Sequence, residues 1–239
     1  MRARSLAVLV PAHDEEERLP RALEAIRAAA RHPALRRVRV VTVVVADSCR
    51  DGTGAAAARA GADVVHVTCR NVGLARATAA ARALELLDGP EGVWLASTDA
   101  DSVVPPHWLA FQHARAAEGW DAVVGTVTVT RWPRRVPGLA ARHQRHYTAS
   151  RPAHGPWHHP HVHGANLGVA AGAYVAVGGF PALPVSEDHG LVDALAARGH
   201  RLLRTADCPV ATSGRLDPRA RGGFGDHLAG LAMESPARP

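Results

Sequence analysis

The chain contains no lysine: all 28 of its basic residues are arginine, set against 22 acidic residues. Cysteine is scarce as well. Cys49, Cys69 and Cys208 are odd in number, far apart and without C-x-x-C spacing, which excludes a disulfide-stapled secreted scaffold and a zinc ribbon and points to a reducing, cytoplasmic compartment. Aromatic residues make up only 4% of the chain, and no basic stripe interleaves with stacking rings, so nucleic acid is not the expected partner. Long hydrophobic runs are missing too; the longest, such as VVTVVVA, fall well short of the ~20 residues that span a bilayer. The opening MRARSLAVLVPA has the basic-then-apolar look of a secretory leader. It passes directly into Pro11 and the acidic HDEEER without a small-residue cleavage site, as a buried strand ending in a loop would. The expectation is a cytoplasmic chain with no transmembrane segment, whose formal charge of +6 leaves a peripheral position on an anionic membrane open.

Alanine is abundant beside arginine, and a codon bias toward both accounts for most of these arginines. A subset can still serve phosphate, which guanidinium grips bidentately. The first half of the chain alternates short apolar runs with helix-like segments: LAVLV, LPRALEAIRAAARH, RVVTVVVA, TGAAAARAGA, VVHVT, GLARATAAARALELL and VWLAS. Continuous apolar strands separated by amphipathic helices predict an α/β fold, a mostly parallel central sheet with helices on both faces. In the first helix Leu19, Leu23, Ile26 and Ala30 share a face, and Pro20 suits the first turn. The second half is less regular. It carries a strand over 121–130, a helix in GLAARHQRHYTASR, a loop rich in His, Gly and Pro, a helix from SEDHG to Ala197, a strand in HRLLRT and an Arg/Gly-rich C-terminal tail. One domain over 1–239 is the simplest organisation, with a ligand-binding half over 1–102 and a smaller lobe over 103–239.

Ligands of such sheets bind at the carboxyl ends of the strands. Those ends are polar here: Pro11 to Glu15 after the first strand, Asp47 to Asp51 after the second, Asp99 and Asp101 after VWLAS. Paired carboxylates suit Mg2+ or Mn2+, which take oxygen ligands from one or two carboxylates plus substrate phosphates. Equally, Asp101 or Ser102 could cap the helix around PPHWLAFQHARAA.

Taken in order, the motifs resemble family 2 glycosyltransferases. VLVPAHDEEERLPRALEAI is similar to VxIPAxNEExxLxxxLxxI, VVVADSCRDGT to VVVDDGSxDGT, and RNVGLARATA to an Asn-x-Gly phosphate-side segment. WLASTDADS resembles the D-x-D strand end, HGANLGVAAGAYVAVGGFP resembles GANxAxRRxxxxxVGGFD, and SEDHGLVDALAARGHRL resembles EDxxLxxRLxxxGxxI. The resemblance covers roughly residues 5–205 and implies a GT-A fold, Rossmann-like toward a nucleoside diphosphate sugar donor, with a C-terminal lobe for a hydroxyl acceptor, a small molecule or a lipid carrier.

Carried across residue by residue, it implies that Pro11, Ala12, His13 and Glu15 line the nucleoside pocket and that Asp47 meets the base. Asn71, Arg76, Asp99 and Asn166 fall on the donor side. Asp101, helped by Asp99, would hold the metal, and Asp188, beside Glu187, would be the general base. A plainer role for Glu187 and Asp188 is to favour a helix N-terminus electrostatically. The chain departs from the pattern at Ala46, where the first acid of the Asp-Asp pair is missing, and at Ala170 and Ala171, where two arginines are missing. Arg215, Arg219 and Arg221 are candidates to replace those phosphate contacts, unless they belong to a surface tail.

His154, His158, His159, His161 and His163 form either an acceptor-side loop or a zinc site, although no nearby acid or cysteine completes a zinc signature. The resemblance also implies a histidine from the second half as third metal ligand; His163, His189 and His227 are the candidates. Three rival functions are weighed. A dinucleotide oxidoreductase would use Gly52-Thr53-Gly54-Ala55-Ala56-Ala57, but the acidic DSCRD before it is too long for a pyrophosphate turn. A zinc hydrolase or deacetylase would use His13, Asp14 and the histidine loop. A non-catalytic nucleotide-sugar-binding module would have kept the fold and lost turnover.

Overall fold

The structure is a computed structural model, described here for residues 3–217 and 222–233. The predicted rhythm is present: β1 (Ser5–Ala12), α1 (Leu19–Ala30), β2 (Arg39–Asp47), α2 (Thr53–Arg59), β3 (Asp63–Val67), α3 (Val72–Leu86) and β4 (Val93–Ser97). Then follow α4 (Trp108–Ala117), β5 (Ala122–Val129), α5 (Leu139–Tyr147), β6 (Leu167–Ala170), α6 (Ala171–Ala176), α7 (Glu187–Ala197), β7 (Leu202–Thr212) and α8 (Phe224–Met233). All seven strands form one sheet in the order β3-β2-β1-β4-β6-β5-β7. Only β6 runs against its neighbours β4 and β5. The sheet therefore continues across residue 102, and β5 to β7 extend the sheet of the first half directly.

β1 shows why these strands read as unbroken apolar runs. Leu6, Val8 and Val10 join one core with Leu23, Ile26, Trp108 and Leu109, while Ala7 and Leu9 join the other with Ala79, Leu191 and Leu195. A strand covered on both faces has no polar side to alternate with. Helix α3 buries Gly73, Ala75, Arg76, Ala79, Ala80 and Ala83; these small residues let its backbone lie close on the sheet, and they surround one arginine. On β6, Gly168 leaves room for the hydrogen bond from Trp94 Nε1 to Gln112 Oε1, 2.6 Å.

The expected Arg/Gly tail needs correction. Phe224–Met233 is helix α8, and Leu228 and Leu231 bury against Leu139 of α5. The spacing of these leucines supplies an apolar stripe that the glycines upstream obscure in the sequence. Among the described residues no helix is long and apolar enough to cross a membrane.

Candidate active site

Parallel pairing aligns the carboxyl ends of β1, β2 and β4, with Ala12 opposite Ala46 and Leu9 opposite Ser97. A cavity of about 940 Å³ opens there. Its walls include Pro11, Ala12, His13, Glu15, Asp47, Asn71, Arg76, Asp99 and Asp101 from the first half. Residues 160–165, the start of α7 with Glu187 and Asp188, Arg215, and the start of α8 complete its lining.

On the cavity wall, Asp47 is committed to the chain itself. Its Oδ1 accepts the backbone N–H groups of Cys69 and Arg70, and its Oδ2 that of Asn71, each at 2.9 Å. Burial works to raise the Asp47 pKa, but the hydrogen bonds from Arg70, Asn71, Ser48 and Cys69 outweigh it and hold the carboxyl below its usual range. The carboxylate thus fixes the loop that enters α3. Asn71 continues that work: its Oδ1 caps α3 by accepting Leu74 N–H (2.9 Å), and its Nδ2 donates to the Ala182 carbonyl (3.3 Å). Gly73 lets the segment at Pro181–Leu183 approach so closely that a Cβ there would strike two carbonyls. The Asn-x-Gly pair is therefore a cap and a close contact on the cavity wall.

The D-x-D pair does not cap a helix. β4 ends at Ser97, Asp99 and Asp101 ride on a turn closed by Ser102 N–H to the Asp99 carbonyl (3.1 Å), and α4 starts later, with no side-chain cap. Asp101 Oδ2 instead meets Arg215 Nη2 at 3.2 Å, and the other end of that guanidinium meets Glu15 Oε1 at 2.5 Å. Burial, reinforced by the Asp99 and Glu15 charges and opposed by Arg215, pushes the Asp101 pKa up to about 6. The second Glu15 oxygen is buried and accepts no hydrogen bond, although Arg18 Nη1 stands 3.6 Å from it. Crowded carboxylates with an unsatisfied oxygen are the donor set that a hard divalent cation takes.

Arg76 joins four parts of the chain. Its guanidinium reaches Glu187 (2.8 Å), Asp99 (2.7 Å), Ser97 Oγ (2.7 Å) and the Gly164 carbonyl (3.4 Å). Burial alone would lower its pKa; the charges of Asp99 and Glu187 reverse this and raise it. Gly164 has to be glycine, since a Cβ would overlap the guanidinium. Glu187 is thereby locked in a buried ion pair. Asp188, next in line, accepts the Gly164 N–H (2.7 Å) and its neighbour His189 N–H (2.8 Å) and lines the cavity. Ser186 before them holds a left-handed φ of 61°, a strain that sets the direction in which α7 enters the site.

Residues 7–176 match the sequence profile described as "Glycosyl transferase family 2". The chain belongs to glycosyl transferase family 2. Among solved structures it is similar to the mannosyltransferase PcManGT from Pyrobaculum calidifontis in complex with GDP-Man and Mn2+, at 21% identity over 93% of this chain and 59% of that one, TM-score 0.65. TarS from S. aureus matches at 15% identity over 88% of this chain and 60% of that one, TM-score 0.62. The M. tuberculosis glucosyl-3-phosphoglycerate synthase with Mn2+, UDP and phosphoglyceric acid matches at 20% identity over 96% of this chain and 75% of that one, TM-score 0.57. The chain thus spans about three fifths of the first two. No curated protein sequence matches it. These likenesses establish the GT-A fold for this family 2 chain.

Within that family frame, some expected residues fall elsewhere. Asn166 does not line the cavity: it is buried, accepts Trp108 Nε1–H (2.9 Å) and donates to the carbonyls of Thr126 (2.8 Å) and Cys208 (2.9 Å). Its amide oxygen and both amide hydrogens hold β5, β7 and α4 together. Arg219 and Arg221 lie outside the described residues. Ser97 and Gly164, which were not among the expected residues, carry Arg76; they lie 21 and 88 positions from it, and no local signal marks them.

The histidine loop does not join His13. His159 donates to the carbonyls of Val124 and Thr205, and His161 to that of Tyr147. The Tyr147 hydroxyl accepts Val127 N–H (3.0 Å) and donates to His163 Nε2 (3.0 Å). His159, His161 and His163 stack successively, with Tyr147 lying 3.9 Å from the His161 ring. Burial, reinforced by His161 and His159, pushes the His163 pKa down to about 3. An uncharged aromatic wall results, of which Tyr147, His161 and His163 face the cavity. His163, His189 and His227 all line it.

Proposed function

We propose that this chain transfers a sugar from a nucleoside diphosphate sugar to an acceptor hydroxyl, with inversion and with Mg2+ or Mn2+ as cofactor. The observation that carries the reading is one cavity lined by the Asp99, Asp101 and Glu15 carboxylates together with Asp188. Asp101 and Asp99 would hold the cation, and Glu15 offers it an oxygen that accepts no hydrogen bond and faces only the Arg18 guanidinium, at 3.6 Å. When bound, the cation supplies Lewis-acid stabilisation of the charge that builds on the departing diphosphate.

The remaining work belongs to the chain. Arg215, paired with two of those carboxylates, is placed to pair with the diphosphate once they are otherwise engaged. Arg76 keeps Asp99 and Glu187 fixed relative to each other, and so sets the position of Asp188 through α7. Asp188 accepts the acceptor hydroxyl's proton; the Gly164 N–H and the N-terminus of α7 orient its carboxylate for this. The stacked histidines and Tyr147 form an acceptor-side wall, for a small molecule or a lipid carrier. Three free thiols accord with a cytoplasmic location.

Thermal unfolding with a panel of nucleoside diphosphates, each with Mn2+ and with EDTA, tests the reading. A ligand at about 100 times its dissociation constant adds ~2.7 kcal/mol, several degrees for a chain of this size. One nucleotide should shift the midpoint only with metal. Asp101→Ala should abolish the shift, and Asp188→Asn should keep it while losing transfer. Full transfer by Asp188→Asn would reject the base; a panel without any shift would reject the donor class.

A further inference from the structure

His13, Asp14 and Cys49 come together beyond the carboxyl ends of β1 and β2, with His13 on the cavity wall. Their ligand atoms all lie within 4.8 Å of one another. His13 Nδ1 is 2.7 Å from the Asp47 carbonyl. A carbonyl only accepts, so Nδ1 carries the proton and Nε2 presents its lone pair. A backbone carbonyl fixing the tautomer in this way is the usual support behind a metal-binding imidazole. Nε2 stands 3.7 Å from Asp14 Oδ2, close to the roughly 3.3–3.8 Å edge of a tetrahedron built on zinc bond lengths. Asp14 Oδ1 is anchored by Arg50 N–H (2.7 Å), and Cys49 Sγ is held 3.4 Å from the Ala12 carbonyl.

The local backbone is shaped for this meeting. Asp14 and Ser48, both non-glycine, hold left-handed φ values of 50° and 54°. Set on the family patterns quoted above, Asp14 stands where the pattern has Asn and Cys49 where it has Ser. Both departures supply a better metal ligand than the pattern residue, and His13 fills a variable position between them and the cavity.

We propose that His13 Nε2, Asp14 and Cys49 form a second cation site, of the zinc class, with water as fourth ligand. The nitrogen, oxygen and sulfur donors are softer than the all-oxygen Asp99 and Asp101 pair and select against Mg2+. Binding breaks the Cys49 S–H bond and forms a metal–sulfur bond; the thiol proton passes to solvent. The site stands independently of the transfer reaction proposed above.

Cobalt is the probe, because a thiolate ligand gives Co2+ a charge-transfer absorption that imidazole and carboxylate do not. The metal-stripped protein should take up one equivalent of Co2+ with that band, and Zn2+ should displace it. Cys49→Ser, which restores the family residue and so preserves folding, should remove the band. The band should persist in Cys69→Ser and in Asp101→Ala. Competition with a chromophoric chelator should show Zn2+ affinity falling more than about tenfold in His13→Gln and Cys49→Ser. Absence of the band in the unmodified protein, or its loss with Cys69→Ser or Asp101→Ala, would overturn the site. Unchanged Zn2+ affinity in both His13→Gln and Cys49→Ser would do the same.

Discussion

Replacing Arg76 by methionine keeps most of the side-chain volume and removes the charge that Glu187 and Asp99 share. The Arg76 and Glu187 side chains are each 5% exposed, whereas Asp99 is 34% exposed. Water can screen Asp99, so its lost pairing contributes little. Glu187 has no such recourse, and stranding one member of a buried pair costs about 3–5 kcal/mol. At about 2–4 °C per kcal/mol for a chain of 150–250 residues, Arg76→Met should melt roughly 6–20 °C lower. Urea unfolding at pH 7 gives the free energy directly. Adding Glu187→Leu should recover at least half of the loss, because two apolar groups in place of a buried pair leave no unmatched charge. A loss below about 1 kcal/mol in Arg76→Met, with an unchanged denaturant slope, would refute the argument. So would a double variant no better than the single one.

Asp101, with its pKa raised by burial to about 6 from about 3.9 in the unfolded chain, binds its proton more tightly when folded. Its contribution is therefore complete below about pH 4 and is lost as pH rises through about 6, up to ~3 kcal/mol in all. Asp101→Asn should remove that fall, seen as the difference between the two proteins in urea unfolding at pH 4 to 7. Asn166→Ala should cost at least about 2 kcal/mol by stranding the Trp108 indole N–H and two carbonyls. It should leave nucleotide affinity unchanged well below the melting temperature, and a specific affinity loss by calorimetry would return Asn166 to the donor site. Gly168→Ala should cost about 1–3 kcal/mol by overpacking, since the new methyl would press on Gln112 and on Trp94 Nε1 at 2.6 Å; denaturation curves check it.

How much of this was legible in advance depended on how local the signal was. The alternation of strands and helices, the apolar faces of α1 and α3 and the acids at the ends of β1, β2 and β4 are written over adjacent residues. A strand buried on both faces must be apolar throughout, and its end must turn polar, so periodicity alone placed the sheet and its ligand-binding edge. The ordered motifs then pointed to family 2. Helix α8 was missed because Gly222, Gly223 and Gly225 signal a loop, whereas Leu228 and Leu231 gain their helix from a partner surface on α5.

The chemistry of individual side chains was decided by packing. No local pattern tells that Arg76 finds Glu187 across 111 positions, that Asp47 spends its carboxylate on the loop before α3, or that Asn166 is a buried clamp. The histidines likewise could have served a metal; backbone carbonyls engage His159 and His161 instead, and the Tyr147 hydroxyl engages His163. The sequence by itself determined the layered α/β frame and the acidic edge, because those follow from the period of burial along one chain segment. Only the tertiary structure decided which acids are tied up and which face the cavity, because a charge's partner is set by the surfaces that meet when distant segments pack.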